Sequence, residues 1–319
     1  MSELLIGIDI GGTKCAISLG RADGDQITIL DKRRFPTPIT PQETLDLFAE
    51  HLAGLKGDHT ITAIGISCGG PLNSRQGVVL EPPNLPGWIN IPVVKFFEER
   101  FHIPTALQND ANAGALAEWL WGAGRGLDNL IFLTFGTGMG AGLILNGQLY
   151  SGTNDMGGEV GHIRLADDGP VGFGKAGSFE GFCSGGGIAR LASARAEAAI
   201  LEGNPPTFAP TFADLPDIST RTLAEAANTG DPLALEIFDI VARRLGQGLA
   251  LLIDILNPQR VILGSIYLRQ RHLLEEAMWA VLREEVIPYS LSVVDIVPPG
   301  LGESIGDYAA FAVAQYRQK

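Results

Sequence analysis

The 319-residue chain is short of positive charge: 23 Lys and Arg stand against 36 Asp and Glu, for a formal net charge of −13. A nucleic-acid binder, or a protein seated on an anionic membrane, needs clustered Lys and Arg to meet phosphates, so the balance argues against both. It does not exclude a phosphate-bearing small ligand, because backbone N–H groups and a metal ion hold phosphate without a basic surface. Cysteine is scarce too. Cys15, Cys68 and Cys183 lie far apart with no CxxC pair. That disfavours a disulfide framework and a multi-cysteine zinc site, and fits a reducing, cytoplasmic setting. No apolar run approaches the length of a membrane span, and the opening MSELLIGIDIGG lacks the basic region and cleavage site of a secretory leader. Two glycine motifs are also missing. No GxxxxGK[ST] precedes a helix and no GxGxxG opens a βαβ unit, so P-loop and Rossmann readings are set aside.

What is present is apolar and glycine-rich. Hydrophobic residues make up 45% and charged residues 18%, the balance of a packed globular protein, and the length suggests about two domains. Residues 4–10, 15–19 and 27–36 read as three strands with tight turns between them. Leu45, Leu47, Phe48, Leu52 and Leu55 carry helical spacing over 42–55. A strand at 60–67, a Gly/Pro/Asn-rich loop, a helix at 93–101, a strand at 104–108 and a helix opening at Asp110 follow. A strand at 129–135 then runs into GTGMGAG and a further strand from Leu143. This second opening overlays the first at an offset of 125 residues, Gly11 on Gly136 and Thr13 on Gly138, which suggests an internal duplication. Helices at 233–256, 269–285 and 304–318 and strands at 260–264 and 292–297 complete the pattern. The Pro- and Thr-rich stretch 202–219 is expected to be mobile.

The two glycine turns carry the first chemical hint. In IDIGGTK, Gly11 and Gly12 let a ligand approach the backbone, Thr13 adds a hydroxyl and Lys14 a cation. Asp9, at the strand end, could hold Mg²⁺. The turn Gly136-Thr137-Gly138-Met139-Gly140 offers a similar N–H surface. Either alone reads well as a plain hairpin turn; facing each other, the pair would clamp a triphosphate.

Four segments then bear a resemblance. Asp9-Ile10-Gly11-Gly12-Thr13-Lys14, Leu107-Gln108-Asn109-Asp110-Ala111-Asn112-Ala113, Gly136-Thr137-Gly138-Met139-Gly140 and Gly158-Glu159-Val160-Gly161-His162 resemble, in order, the signatures of the ROK family of bacterial sugar kinases and sugar-responsive repressors. The resemblance implies an α/β fold of two RNase-H-like lobes, the sugar kinase/Hsp70/actin fold, with an interlobe cleft. The small lobe would be 1–118, completed by a C-terminal helix over about 303–319, and the large lobe 119–302. It implies ATP-dependent phosphorylation of a hexose with Mg²⁺, glucose at its 6-hydroxyl before N-acetylmannosamine or another N-acetylhexosamine, and a homodimer. Asp110 matches the catalytic aspartate, although an N-cap for the following helix is the plainer reading of that residue type there. Gly70, Asn84, Asn109, Glu159, His162 and Glu180 match sugar-binding positions. Asp9, Gly11, Gly12, Thr13, Lys14, Gly136, Thr137, Gly138, Gly140 and Gly264 match the nucleotide side. Trp88 could be a platform for the sugar ring or a core residue.

The chain departs from the family pattern in three places. Where most members carry three zinc-binding cysteines before the last sugar-contacting glutamate, Val171, Phe173 and Ser178 stand. A zinc-free member is expected, with Val171 and Phe173 packing as an apolar plug. After the strand at 260–264 only Gly264 and Ser265 remain of a glycine run, which leaves the base pocket unassigned. The first strand is expected to open at Leu4, so the repressors' DNA-binding module is expected to be absent. Two rivals come from other classes: a non-catalytic sugar sensor, which would be expected to lack Asp110 or one of the turns, and an Hsp70/actin-like assembly protein, which would lack the Gly157–His162 sugar motif.

Overall fold

The computed structural model describes residues 3–24 and 26–317. They divide into two units. One holds the residues up to Phe132, Gly142–Gly158 and those from Pro299 on; the other holds Leu133–Ala141 and Glu159–Pro298.

The chain opens with β1 (Glu3–Ile10), β2 (Lys14–Asp23), β3 (Gln26–Pro36), α1 (Pro41–Lys56), β4 (Ala63–Cys68), the short pair β5 (Leu72–Asn73) and β6 (Val78–Val79), α2 (Val93–Phe101), β7 (Thr105–Asn109) and α3 (Asp110–Trp121). It continues with β8 (Leu130–Leu133), β9 (Ala141–Leu145), β10 (Gln148–Tyr150), β11 (Val171–Gly172), β12 (Lys175–Ala176), α4 (Phe179–Cys183), α5 (Gly185–Leu201), α6 (Thr220–Asn228) and α7 (Pro232–Leu256). Last come β13 (Arg260–Leu263), α8 (Ile266–Glu285), α9 (Pro288–Leu291), β14 (Asp295–Val297) and α10 (Ile305–Tyr316).

The first sheet has the order β3-β2-β1-β4-β7, with β1, β4 and β7 parallel. Its central strands are apolar almost throughout, as strands covered on both faces must be. Ile8, Ile17 and Ile66 share one buried cluster with Leu45, Phe48 and Leu52 of α1 and Phe97 of α2. α1 starts where Thr40 and Glu43 form a capping box and Pro41 takes the first turn. α10 covers the sheet through Phe311 and Ala314, packed with Leu5 and Ala63. A Cβ at Gly65 would lie 1.9 Å from the Ala310 carbonyl oxygen, so only glycine lets the helix backbone rest on β4. Trp88, 1% exposed, belongs to the core and is no platform for a sugar.

The second five-stranded sheet has the order β10-β9-β8-β13-β14. This is the pattern of the first sheet again: three consecutive strands in reverse order, then two later ones. The duplication suggested by the two glycine turns thus extends to whole sheets. Two features run against the sequence reading. The stretch 202–219 is fastened rather than mobile: Thr207 donates from both N–H and Oγ1 to Asp231 Oδ2, each at 2.7 Å, and Ala209 is fully buried. α5 was hidden by its opening Gly185-Gly186-Gly187, which suits a loop until Ser184 is seen to cap it by accepting the Gly187 N–H at 3.0 Å.

Candidate active site

In the first unit, β1, β4 and β7 end together: Ile10 pairs with Cys68 and Cys68 with Asn109. Carboxyl ends of parallel strands are where α/β sheets bind ligands, and Asp9, Asn109 and Asp110 stand there. The helix cap is Asn109, not Asp110. Asn109 Oδ1 accepts the Asn112 N–H at 2.7 Å, leaving its Nδ2 as the group to offer a ligand. Asp110 is the first helical residue, and its Oδ1 accepts the Ala111 N–H at 2.9 Å. Its side chain keeps access to solvent. Enclosure by surrounding protein nevertheless raises its pKa above the ordinary carboxylate value, against the pull of the Ala111 bond.

Asp9 is pushed up to about 6, first by burial and then by the negative charge of Asp110, while Lys32 and Arg34 pull it down. Both cations also bond Asp307, Arg34 at 3.3 Å. Sequence reasoning missed this trio. The signal was available in the period of two: Asp9 aligns with Ala16 and Ala16 with Arg34, and Lys32 lies two residues before Arg34 on the same face of β3.

The Gly11–Lys14 turn is fastened by Thr37, whose N–H donates to Thr13 O at 3.0 Å and whose Oγ1 donates to Gly11 O at 2.6 Å. Neither Gly11 nor Gly12 has positive φ. Glycine is required here by close approach, since a Cβ at Gly12 would lie 2.4 Å from the Asn84 carbonyl oxygen. Asn84 therefore sits against the turn, and Thr13, Lys14, Asn84 and Gly70 are exposed.

In the second unit, the GTGMG turn offers less N–H surface than the sequence suggests. Gly136 N–H closes on Gly138 O, Gly140 N–H goes to Thr134 Oγ1, and Met139 N–H goes to Glu180 Oε2 at 3.2 Å. The amides of Thr137 and Gly138 meet no protein acceptor among the described residues. Gly136 O accepts the Gly185 N–H at 2.6 Å, which ties the start of α5 to the turn. Glu180 is in the first turn of α4, placed by the Ser178 cap. Glu159 and His162 bracket a 3₁₀ turn, with His162 N–H donating to Glu159 O at 3.2 Å. Gly161 joins these pieces: a Cβ there would lie 2.4 Å from Met139 O and 3.2 Å from Glu180 Cβ. Glu180 and His162 are thus brought to the turn at Met139.

Gly264 is buried, and its N–H donates to Leu133 O at 2.9 Å. Just beyond it lies a cavity of about 420 Å³ walled by Thr220 and Arg221 of α6 and by Ile266, Arg269 and Gln270 of α8. Sequence reasoning left this pocket unassigned because its walls come from segments far apart in the chain.

The zinc site implied by the family does not fit these residues. Val171 and Phe173 have no donor atom, and the Ser178 hydroxyl is buried, accepting the Gly181 N–H at 3.1 Å. The expected apolar plug is not there either. Val171 is 46% and Phe173 67% exposed, because they stand on a two-stranded hairpin that turns outward rather than in a core.

Two repeated sheets and strand-end carboxylates define the two-lobed α/β fold of the sugar kinases. The ROK-family model matches residues 5–317, and the chain belongs to the ROK family. It is 36% identical over 268 residues to a glucokinase of Streptomyces coelicolor, covering 82% of this chain and 81% of that protein. It is 32% identical over 263 residues to an N-acetylmannosamine kinase of Escherichia coli, covering 82% of each. Among solved structures, the ROK glucokinase of Streptomyces griseus in complex with glucose and AMPPNP superposes with a TM-score of 0.76 at 32% identity, over 99% of this chain and all of that one.

Proposed function

We propose that the protein phosphorylates a hexose from ATP, glucose at the 6-hydroxyl being the first choice and N-acetylmannosamine the second. The observation that carries this reading is Asp110: an exposed carboxylate at the carboxyl end of a parallel strand, with raised pKa and one oxygen already satisfied by Ala111. A sugar hydroxyl becomes a competent nucleophile as its proton leaves, and a carboxylate within hydrogen-bond reach accepts that proton as the bond to phosphorus forms. A pKa raised toward the working pH makes it a better base. The remainder of phosphoryl transfer is positioning and charge neutralisation.

Asn109 Nδ2 is assigned to a neighbouring hydroxyl, with Gly70 and Asn84 in the same unit. Glu159, His162 and Glu180 are assigned hydroxyls from the second unit. The turns Gly11–Lys14 and Gly136–Gly140 are assigned to phosphates, and the cavity beyond Gly264 to the nucleoside. Asp9 fits a Mg²⁺ ion held by one carboxylate together with substrate phosphates. The acidity Asp9 has lost to the charge of Asp110 is what a divalent cation would restore. When bound, the ion supplies neutralisation of phosphate charge.

The presence of Asp110 and both turns favours a kinase over a sugar sensor. The acidic balance supports a protein without nucleic acid as partner. No helix among the described residues is long and apolar enough to cross a membrane. The need for ATP and the three free thiols support a cytoplasmic setting, and we expect a homodimer, which sedimentation of the purified protein tests. The activity is tested by a panel of hexoses and N-acetylhexosamines with ATP and Mg²⁺, reading ADP release and product by phosphorus NMR. Glucose 6-phosphate is the expected product. ADP release with N-acetylmannosamine alone would move the substrate to the second choice, and no sugar-dependent release at all would favour the sensor.

A further inference from the structure

The hairpin of β11 and β12 pairs Gly172 with Lys175, leaving Phe173-Gly174 as a two-residue loop. Both residues are left-handed, with φ of +43° at Phe173 and +78° at Gly174. Loops of this kind favour Asn-Gly or Asp-Gly, because a bulky side chain is strained at positive φ. Gly174 suits the turn and Phe173 does not. Burial does not compensate Phe173, since its side chain stands largely in solvent.

An aromatic residue held in a strained and exposed position needs a reason outside its own hairpin. Its ring supplies one. The Phe173 centroid is 5.1 Å from that of the His162 imidazole at an interplanar angle of 84°, an edge-to-face contact in the favoured range. From the same hairpin Lys175 reaches back, and its Nζ donates to the His162 carbonyl oxygen at 2.7 Å. One hairpin therefore holds His162 twice, by its ring and by its backbone.

We propose that Phe173 is a positioning residue for sugar recognition, fixing the His162 imidazole while Lys175 fixes the backbone beneath it. The proposal rests on the reading of His162 as a sugar contact. It accounts for the strain: the turn sacrifices its preferred residue so that a ring can stand beside the imidazole. It also accounts for a histidine held in place where Val171 and Phe173 supply no metal ligand to orient it.

The decisive variant is Phe173→Asn, which gives the turn its preferred residue and removes the ring. A purely structural role predicts loss of stability on losing Phe173. Positioning predicts an unchanged or higher Tm, together with a sugar KM raised about three- to tenfold and an ATP KM and kcat within about twofold of the parent. It also predicts shifted His162 ring signals in the NMR spectrum of the sugar-free protein, where the Phe173 ring current is lost. Phe173→Tyr should keep both the signals and the KM. Unmoved His162 signals and an unchanged sugar KM in Phe173→Asn overturn the proposal. His162→Ala, run alongside, separates the two layers. Unchanged sugar KM there refutes the sugar role of His162 and the proposal with it. Raised KM there with unchanged KM in Phe173→Asn refutes the proposal alone.

Discussion

Glu180 accepts the backbone N–H of Met139 through Oε2 at 3.2 Å, so one oxygen of a carboxylate assigned to the sugar also holds the shape of a glycine turn assigned to phosphate. Glu180→Gln should raise the sugar KM by about tenfold and the ATP KM by a smaller factor, since a weakened acceptor loosens the turn. Glu159→Gln should also raise the sugar KM. Steady-state kinetics varying each substrate read these effects, and an unchanged ATP KM in Glu180→Gln would contradict the coupling.

Asp9 gives a pH dependence with a definite sign. Its pKa is about 6 in the folded protein against 3.8 for an ordinary aspartate, so between about pH 4 and 6 the folded state binds more protons than the unfolded one. Stability from this group falls as pH rises through that window and stays lower above it. Asp9→Asn should therefore raise Tm at pH 7 and lose the advantage near pH 4. In the same window protons compete with the cation, so the Mg²⁺ concentration for half-maximal activity should climb as pH falls below about 6. A flat Mg²⁺ requirement between pH 5 and 8 would remove Asp9 from the cation site.

Much of this fold was legible in the sequence. The apolar runs of β1 and β4, the spacing of Leu45, Phe48 and Leu52, and the repeated glycine openings fixed the first sheet and pointed to the second. What stayed hidden depended on contacts distant in sequence. Gly65 looks like any strand glycine until Ala310 lies on it. Lys32 and Arg34 become neighbours of Asp9 only through register, and Asp307 joins the two cations only through the return of α10. The hairpin at 171–176 was misjudged because apolar residues suggest burial, while its turn carries them outward. At the candidate site the motifs marked the residues, but which atoms remain available, Asn109 Nδ2 or the Thr137 and Gly138 amides, follows only from hydrogen bonds.

The close approach at Gly65 makes a stability prediction. Gly65→Ala places a methyl group 1.9 Å from the Ala310 carbonyl oxygen, and backbone cannot yield as a side-chain tip does. Overpacking of this kind should cost about 1–3 kcal/mol or more, read as a lower denaturant midpoint at unchanged slope. A variant as stable as the parent would contradict the placement of α10 on β4.

Metal content follows from the donor set at Val171, Phe173 and Ser178. The purified protein should carry no stoichiometric zinc, and activity after chelation should return in full with Mg²⁺ alone. Elemental analysis finding one tightly bound zinc per chain, lost together with activity, would contradict it.

Asp110 is the group proposed to accept the sugar proton. Asp110→Asn preserves size and one hydrogen-bond acceptor and removes basicity. Single-turnover kinetics of this variant, together with sugar binding measured by calorimetry, test the claim directly. The expected result is a rate constant for phosphoryl transfer lowered by about 10² or more, with the sugar Kd within a few fold of the parent. Transfer at close to the parent rate would contradict the account.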